Sequence, residues 1–236
     1  MENIPKKIDH GHIIDSVLEI RFSPKDSRTS FIEILAGIKS LIPDYTYEAT
    51  DIPKQIRITD PQFSFAIEGV LKGKMFSVGI GYNSLVFNCQ NGYKSWNEFC
   101  PFIETVLNRV KELGVIESIN RIGIRFTNFF EGMNDLNKFK AKVEIGSKEV
   151  DPNSQVILKF SSSSDGVLYN VTLANLAVVG GRKNAGTLLD VDAYIGNAPI
   201  KISELSEKIE FVHLKEKEMF FSLLNDQFLK SLNPVY

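Results

Sequence analysis

The chain has 236 residues, 43% of them hydrophobic and 24% charged, enough apolar surface for one large core or two smaller ones. With 27 Lys and Arg against 29 Asp and Glu the net charge is −2, so no global attraction to nucleic acid or to an anionic membrane is built in. No apolar run reaches bilayer length, and the opening Met1–Lys7 stretch lacks the apolar core of a secretion signal; a cytoplasmic protein without membrane contact is expected, with Cys89 and Cys100 reduced.

The first element is Leu18-Glu19-Ile20-Arg21-Phe22, where apolar and charged residues alternate with the period of a strand that has one dry and one wet face. Asp26 or Ser27 can then cap a helix whose stripe is Phe31, Ile34, Leu35, Ile38 and Leu41, ended by Pro43. From Thr46 to Gln90 the turn signals Asp60-Pro61, Gly69, Gly73 and Tyr82-Asn83 predict antiparallel hairpins, with alternation clearest in Phe63–Ile67 and Leu85–Phe87. Ser95-Trp96-Asn97-Glu98 fits a capping box, opening a helix through Phe99, Phe102, Ile103, Val106, Val110 and Leu113 to a Gly114 stop, with a bend expected at Pro101.

Ile122-Gly123-Ile124-Arg125-Phe126 repeats the first motif inside a long strand around Arg121 to Phe130. The pattern weakens through Glu131–Asp151, read as a short helix or loop and then a strand near Ala141–Ile145. Strands follow at Gln155–Phe160 and Leu168–Leu173, with Ser161–Gly166 as the turn between them. Arg182–Thr187 reads as a hairpin turn into Leu189-Asp190-Val191-Asp192-Ala193-Tyr194-Ile195. Ser203 can cap one long final helix carrying Leu205, Ile209, Val212, Met219, Phe220, Leu223, Leu224, Phe228 and Leu232.

These elements predict an α+β fold: a largely antiparallel twisted sheet, three main helices, and the long C-terminal helix packed on the sheet. Residues 1–236 are expected to form a single domain, whose halves 1–115 and 116–236 each read strand, helix or loop, strands, then a Ser-capped helix. That parallel predicts a duplicated unit; the alternative is one undivided sheet.

The segments Ile13–Phe22 and Ile119–Phe126, the strand Leu188–Asp192 and the closing His213–Leu229 helix together resemble a sporadically distributed family of bacterial proteins with no assigned activity. The resemblance spans nearly the whole chain; where the family carries a Pro before its first strand, this chain has Gly11-His12. It implies a patchily inherited gene, of the kind found in defence or toxin-neutralising neighbourhoods, and supplies no catalytic residues.

Chemistry is sparse. Asp190 and Asp192, two apart on a strand, point to one face as a pair holding Mg²⁺ would require, and Gly180-Gly181 stands eight residues upstream, as in nucleotidyltransferases. The wet faces also gather Arg21, Arg121 and Arg125, which either converge on a small anionic ligand or spend themselves on Glu19, Asp190 and Asp192 in a cross-strand ladder. His10, His12 and His213 are too scattered for a general base, and the basic tip Gly181-Arg182-Lys183-Asn184 with Tyr45, Tyr47, Phe63, Phe65 and Phe76 gives nucleic-acid binding only weak support. The first expectation is therefore a non-catalytic binding protein with no catalytic residues and no cofactor, engaging a protein partner or a second copy through the last helix or the polar face. A metal-dependent nucleotidyltransferase-like enzyme on Asp190 and Asp192 is the alternative, and an anionic-ligand or nucleic-acid binder a further one.

Overall fold

The structure, a computed structural model, describes residues 4–8, 12–52, 56, 59–196 and 198–236; the pairing of His10 with His12 on one side falls outside them at His10. The described strands are β1 (Ile13–Pro24), β2 (Thr46–Ala49), β3 (Ile67–Lys72), β4 (Phe76–Gly81), β5 (Ser84–Cys89), β6 (Ile116–Glu131), β7 (Glu144–Ile145), β8 (Lys148–Glu149), β9 (Ile157–Ser164), β10 (Val167–Ala177) and β11 (Gly186–Ile195). The described α-helices are α1 (Ser27–Leu41), α2 (Trp96–Leu113), α3 (Leu205–Leu223) and α4 (Asp226–Ser231). The fold is α+β, with a large, largely antiparallel sheet in the order β2-β3-β4-β5-β1-β6-β11-β10-β9 and a small β7-β8 pair.

Within each half of the sequence four strands follow one order, while β2, beyond β3, has no counterpart in the second half. In residues 1–115 the first strand, β1, neighbours the last, β5, followed outward by β4 and β3; in residues 116–236 β6 neighbours β11, followed by β10 and β9. In each half a helix comes after the last strand, α2 after β5 and α3 after β11. The compact units nevertheless exchange pieces between halves: the larger comprises Ser16–Ile124 and Tyr194–Val212, the smaller Met1–Asp15, Arg125–Ala193 and His213–Tyr236.

In the larger unit, alternation dictates the core. Leu18 and Ile20 of β1 lie opposite Phe87 and Leu85 of β5, which lie opposite Val78 and Ile80 of β4, and all six are fully buried. Asp26 caps α1 by accepting the Thr29 N–H at 2.7 Å. The buried stripe of α1 is Ser30, Ile34, Gly37 and Ile38, whereas Leu41 is 39% exposed. A Cβ at Gly37 would stand 2.9 Å from a terminal methyl of Leu113 on α2, which would have to shift. Gly114 ends α2 in the left-handed region, as expected. Two expectations fail here. Ser95 donates its hydroxyl to the Glu98 carboxylate at 3.3 Å and makes no cap bond to the backbone. Phe63–Ile67 alternates but is not a strand: Pro61–Phe63 is a 3-10 turn, and pairing begins only at Ile67, because Pro61 locks φ and offers no N–H to a ladder.

In the smaller unit, Phe130, Phe139 and Phe228 pack edge to face with centroids 5.2–6.0 Å apart. The four serines Ser161–Ser164 belong to β9 rather than to the turn, which is only Asp165-Gly166, both with positive φ. Such a two-residue turn matches strand twist, and it leaves β9 and β10 in continuous register from Val167↔Ser164 to Ala174↔Ile157. The single long final helix is two: Asn225 caps α4 by accepting the Phe228 N–H at 2.6 Å, which breaks the run after Leu223. Ser203 lies within a 3-10 turn and is not the cap.

Candidate functional site

The dry faces of β1, β6 and β11 are buried through Leu18, Ile20, Ile122, Ile124, Leu189 and Val191, which leaves their charged residues on the opposite face. Those charges form two clusters, one in each unit.

In the larger unit Glu19 receives both arginines. Arg21 Nε donates to Glu19 Oε2 at 2.9 Å, and Arg121 donates to the same oxygen. Each guanidinium also lies over a ring at 4.3 Å, Arg21 over Phe65 and Arg121 over Tyr194. Charge pairing and stacking thus fix both cations in place. No sequence spacing relates Phe65 or Tyr194 to the arginines they stack on.

In the smaller unit Arg125 Nε donates to Asp190 Oδ1 at 2.7 Å, and the Thr127 hydroxyl donates to the same oxygen at 2.8 Å. Arg125 and Thr127 are two apart on β6 and so share a face. The bond to Asp190 raises the Arg125 pKa, opposed by partial burial and supported by the charges of Asp190, Asp192 and Asp15. Asp192 accepts from Asn170 Nδ2 at 3.4 Å. Of the expected ladder, Arg21 and Arg121 pair with Glu19, and Arg125 with Asp190. A cation recruited to Asp190 would have to compete with a guanidinium for it.

The Gly180-Gly181 segment lies in the loop between β10 and β11 and does not open a helix. Just beyond the glycines in the same loop, the N–H groups of Lys183 and Asn184 both donate to Glu131 Oε1, at 2.9 and 3.0 Å. The Asn184 N–H foremost holds the Glu131 carboxyl below its ordinary value, against some burial and with help from Lys183 and Arg182. The paired amides of Lys183 and Asn184 thus hold the chain's own carboxylate.

Two features escaped sequence reasoning. The buried stripe of α3 is Leu205, Ile209, Val212, Glu216 and Phe220, an acid where the spacing calls for an apolar residue. Glu216 Oε1 is buried without a hydrogen-bond partner, and burial, with the Asp190 charge adding to it and Lys217 opposing, pushes its carboxyl well above the ordinary range. The signal was the gap between Val212 and Phe220 in an otherwise regular stripe.

The second is β9. It ends the sheet, and among the described residues no strand pairs with its outer flank. Leu158 and Phe160 stand opposite Leu173 and Val171, extending the dry face of β10, and with Phe139, Leu223, Lys140 and Lys142 they line a cavity of about 280 Å³. Lys140 and Lys142 are paired with Asp226 and Glu144 at 3.1 and 2.9 Å. Ile157 is 64% and Phe160 44% exposed.

Cys100 is buried, and its thiol donates to Glu210 Oε1 at 3.1 Å; burial first, then this bond and the charges of Glu210 and Glu104, pushes its pKa up to about 12, which favours the protonated thiol. His12 packs tilted against Phe130 at 4.7 Å, and His213 meets the Phe126 ring edge-on at 6.2 Å. Tyr45 and Phe76 each stack on Phe102, at 5.9 and 4.9 Å, rather than forming an outward platform. Among the described residues no helix is long and apolar enough to cross a membrane. No protein-family model matches the sequence, and no curated protein matches it.

Proposed function

We propose that the chain is a non-catalytic protein-interaction module that docks an extended segment of another chain onto the outer flank of β9. One observation carries this reading: an eight-residue boundary strand whose Phe160 is exposed at a largely apolar cavity that Leu158 also lines, with Ile157 exposed on the other face. Strand addition gains affinity from backbone hydrogen bonds and specificity from pockets that take alternate side chains. The paired states of Arg21, Arg121 and Arg125 support a scaffold role for the charged strand faces. The bacterial family that the sequence resembles adds a setting, a defence or toxin-neutralising gene neighbourhood in the cytoplasm.

Amide hydrogen exchange tests the reading. The outward amides of residues 157–164 exchange fast in dilute buffer and slow down when a partner is present, either in native cell extract or at high protein concentration. Equally fast exchange under all three conditions would sink it.

A further inference from the structure

We infer that the occupant of the β9 edge is a second copy of this chain, paired antiparallel through β9 about a two-fold axis at Phe160. This rests on the strand-docking reading above and names its partner. The argument starts from what β9 lacks. It has no proline, no bulge in its pairing with β10, and a single charge, Lys159. Those are the devices by which boundary strands usually repel one another.

Register then decides the partner. In a continuous antiparallel sheet whose dry faces stay on one side, each residue must oppose one of like parity, because successive side chains alternate between faces. Centring the axis on Phe160 sets Phe160 against its own copy, Lys159 against Ser161, Leu158 against Ser162 and Ile157 against Ser163. The one cation meets a neutral hydroxyl, and the two rings meet each other at the mouth of the cavity that Phe160 lines. Moving the axis to Lys159 would oppose two lysines. Moving it to Ser161 would set Phe160 against Ser162 and lose the ring pair. Ser161–Ser163 are thus set against Ile157–Lys159 and no like charges are opposed, so the strand can meet its own copy in the isologous contact that a two-fold axis requires.

The stripe of the C-terminal helix offers no competing dimer surface, since Leu205, Ile209, Val212, Phe220, Leu224 and Phe228 are all buried within the chain.

Sedimentation of the full chain over a concentration series should show a species of twice the chain mass, and Phe160→Asp, which sets two carboxylates face to face, should weaken association roughly tenfold or more. Cysteine trapping in a Cys89→Ser background reads the register without depending on Phe160→Asp folding. Directly opposed residues have Cα atoms about 4.5–5.5 Å apart, within disulfide reach, so Phe160→Cys should cross-link copy to copy under mild oxidation. Ser163→Cys, whose two copies would lie about 20 Å apart along the strand, should not. A dimer indifferent to Phe160→Asp, equal trapping at 160 and 163, or a chain that is monomeric at every concentration overturns the inference. A monomer whose β9 amides are still protected in extract overturns self-pairing and leaves strand docking standing; a monomer without protection overturns both.

Discussion

Asp190 and Glu216 belong to the same compact unit and both are buried, yet their surroundings differ. Asp190 sits on β11, where strand geometry places two β6 side chains of one face, Arg125 and Thr127, at its Oδ1. Glu216 sits on a helix stripe among Val212 and Phe220, and one of its oxygens has no partner. A sheet brings polar groups into rows that satisfy one another, whereas a helix face turned to the core offers a lone acid nothing of the kind. The first acid is built into the scaffold, and the second strains it.

Removing the satisfied acid should have the largest effect. Asp190→Ala leaves the Thr127 hydroxyl without its acceptor and Arg125 without its counter-charge; as Arg125 is half exposed, water screens part of that loss, and a destabilisation of about 2–3 kcal/mol is expected in denaturant unfolding. A loss under about 0.5 kcal/mol would mean that the cluster is incidental.

Removing the unsatisfied acid should act in the opposite direction. Glu216→Leu completes the apolar stripe and is expected to gain about 1–2 kcal/mol; a variant less stable than the parent would show that the carboxyl has a partner in solution.

The pH dependence sharpens the same contrast. Glu216 has its folded pKa raised above the ordinary 4.5, so below that value both folded and unfolded chains hold the proton and no penalty exists. As pH rises through the unfolded value, the unfolded chain releases its proton first, and stability falls until the folded carboxyl also ionises. The stability gap between Glu216→Gln and the parent should therefore widen as pH is raised from about 4.5 to 7, by at most about 1.4 kcal/mol per unit. A gap that stays constant over that range would refute the raised pKa.

The smallest effect is expected at Asp192, half-buried and held through the 3.4 Å bond from Asn170. Asp192→Ala should shift stability by less than about 1 kcal/mol and leave unchanged any melting-temperature response to nucleotide with Mg²⁺. Loss of a Mg²⁺-dependent shift in that variant would revive the enzyme alternative.

Much of the architecture was legible in the residues because period-2 and period-3.6 patterns report burial directly. The strands holding Arg21, Arg125 and Asp190 and the helices holding Ile34, Ile103 and Ile209 stand where their patterns place them. Errors fell where local chemistry competes with pattern. The 3-10 turn Pro61–Phe63 keeps the alternating Phe63–Ala66 out of the sheet, Asn225 splits a continuous stripe into two helices, and Ser161–Ser164 form strand because Asp165-Gly166 alone closes the hairpin. At the candidate site the six charged residues were identifiable from alternation, but their partners Thr127, Phe65 and Tyr194 were not, since pairing across strands depends on register that no single segment encodes.

The chain's one tryptophan adds a practical consequence. Trp96, the first residue of α2, donates its indole N–H at 2.8 Å to Glu210 Oε1, the oxygen that also takes the Cys100 thiol. Its emission is therefore an intrinsic optical reporter of the α2–α3 junction in the larger unit. Because all of the indole signal comes from that one place, fluorescence-detected melting follows the larger unit, while the Glu216 and β9 chemistry of the smaller unit needs a different reporter.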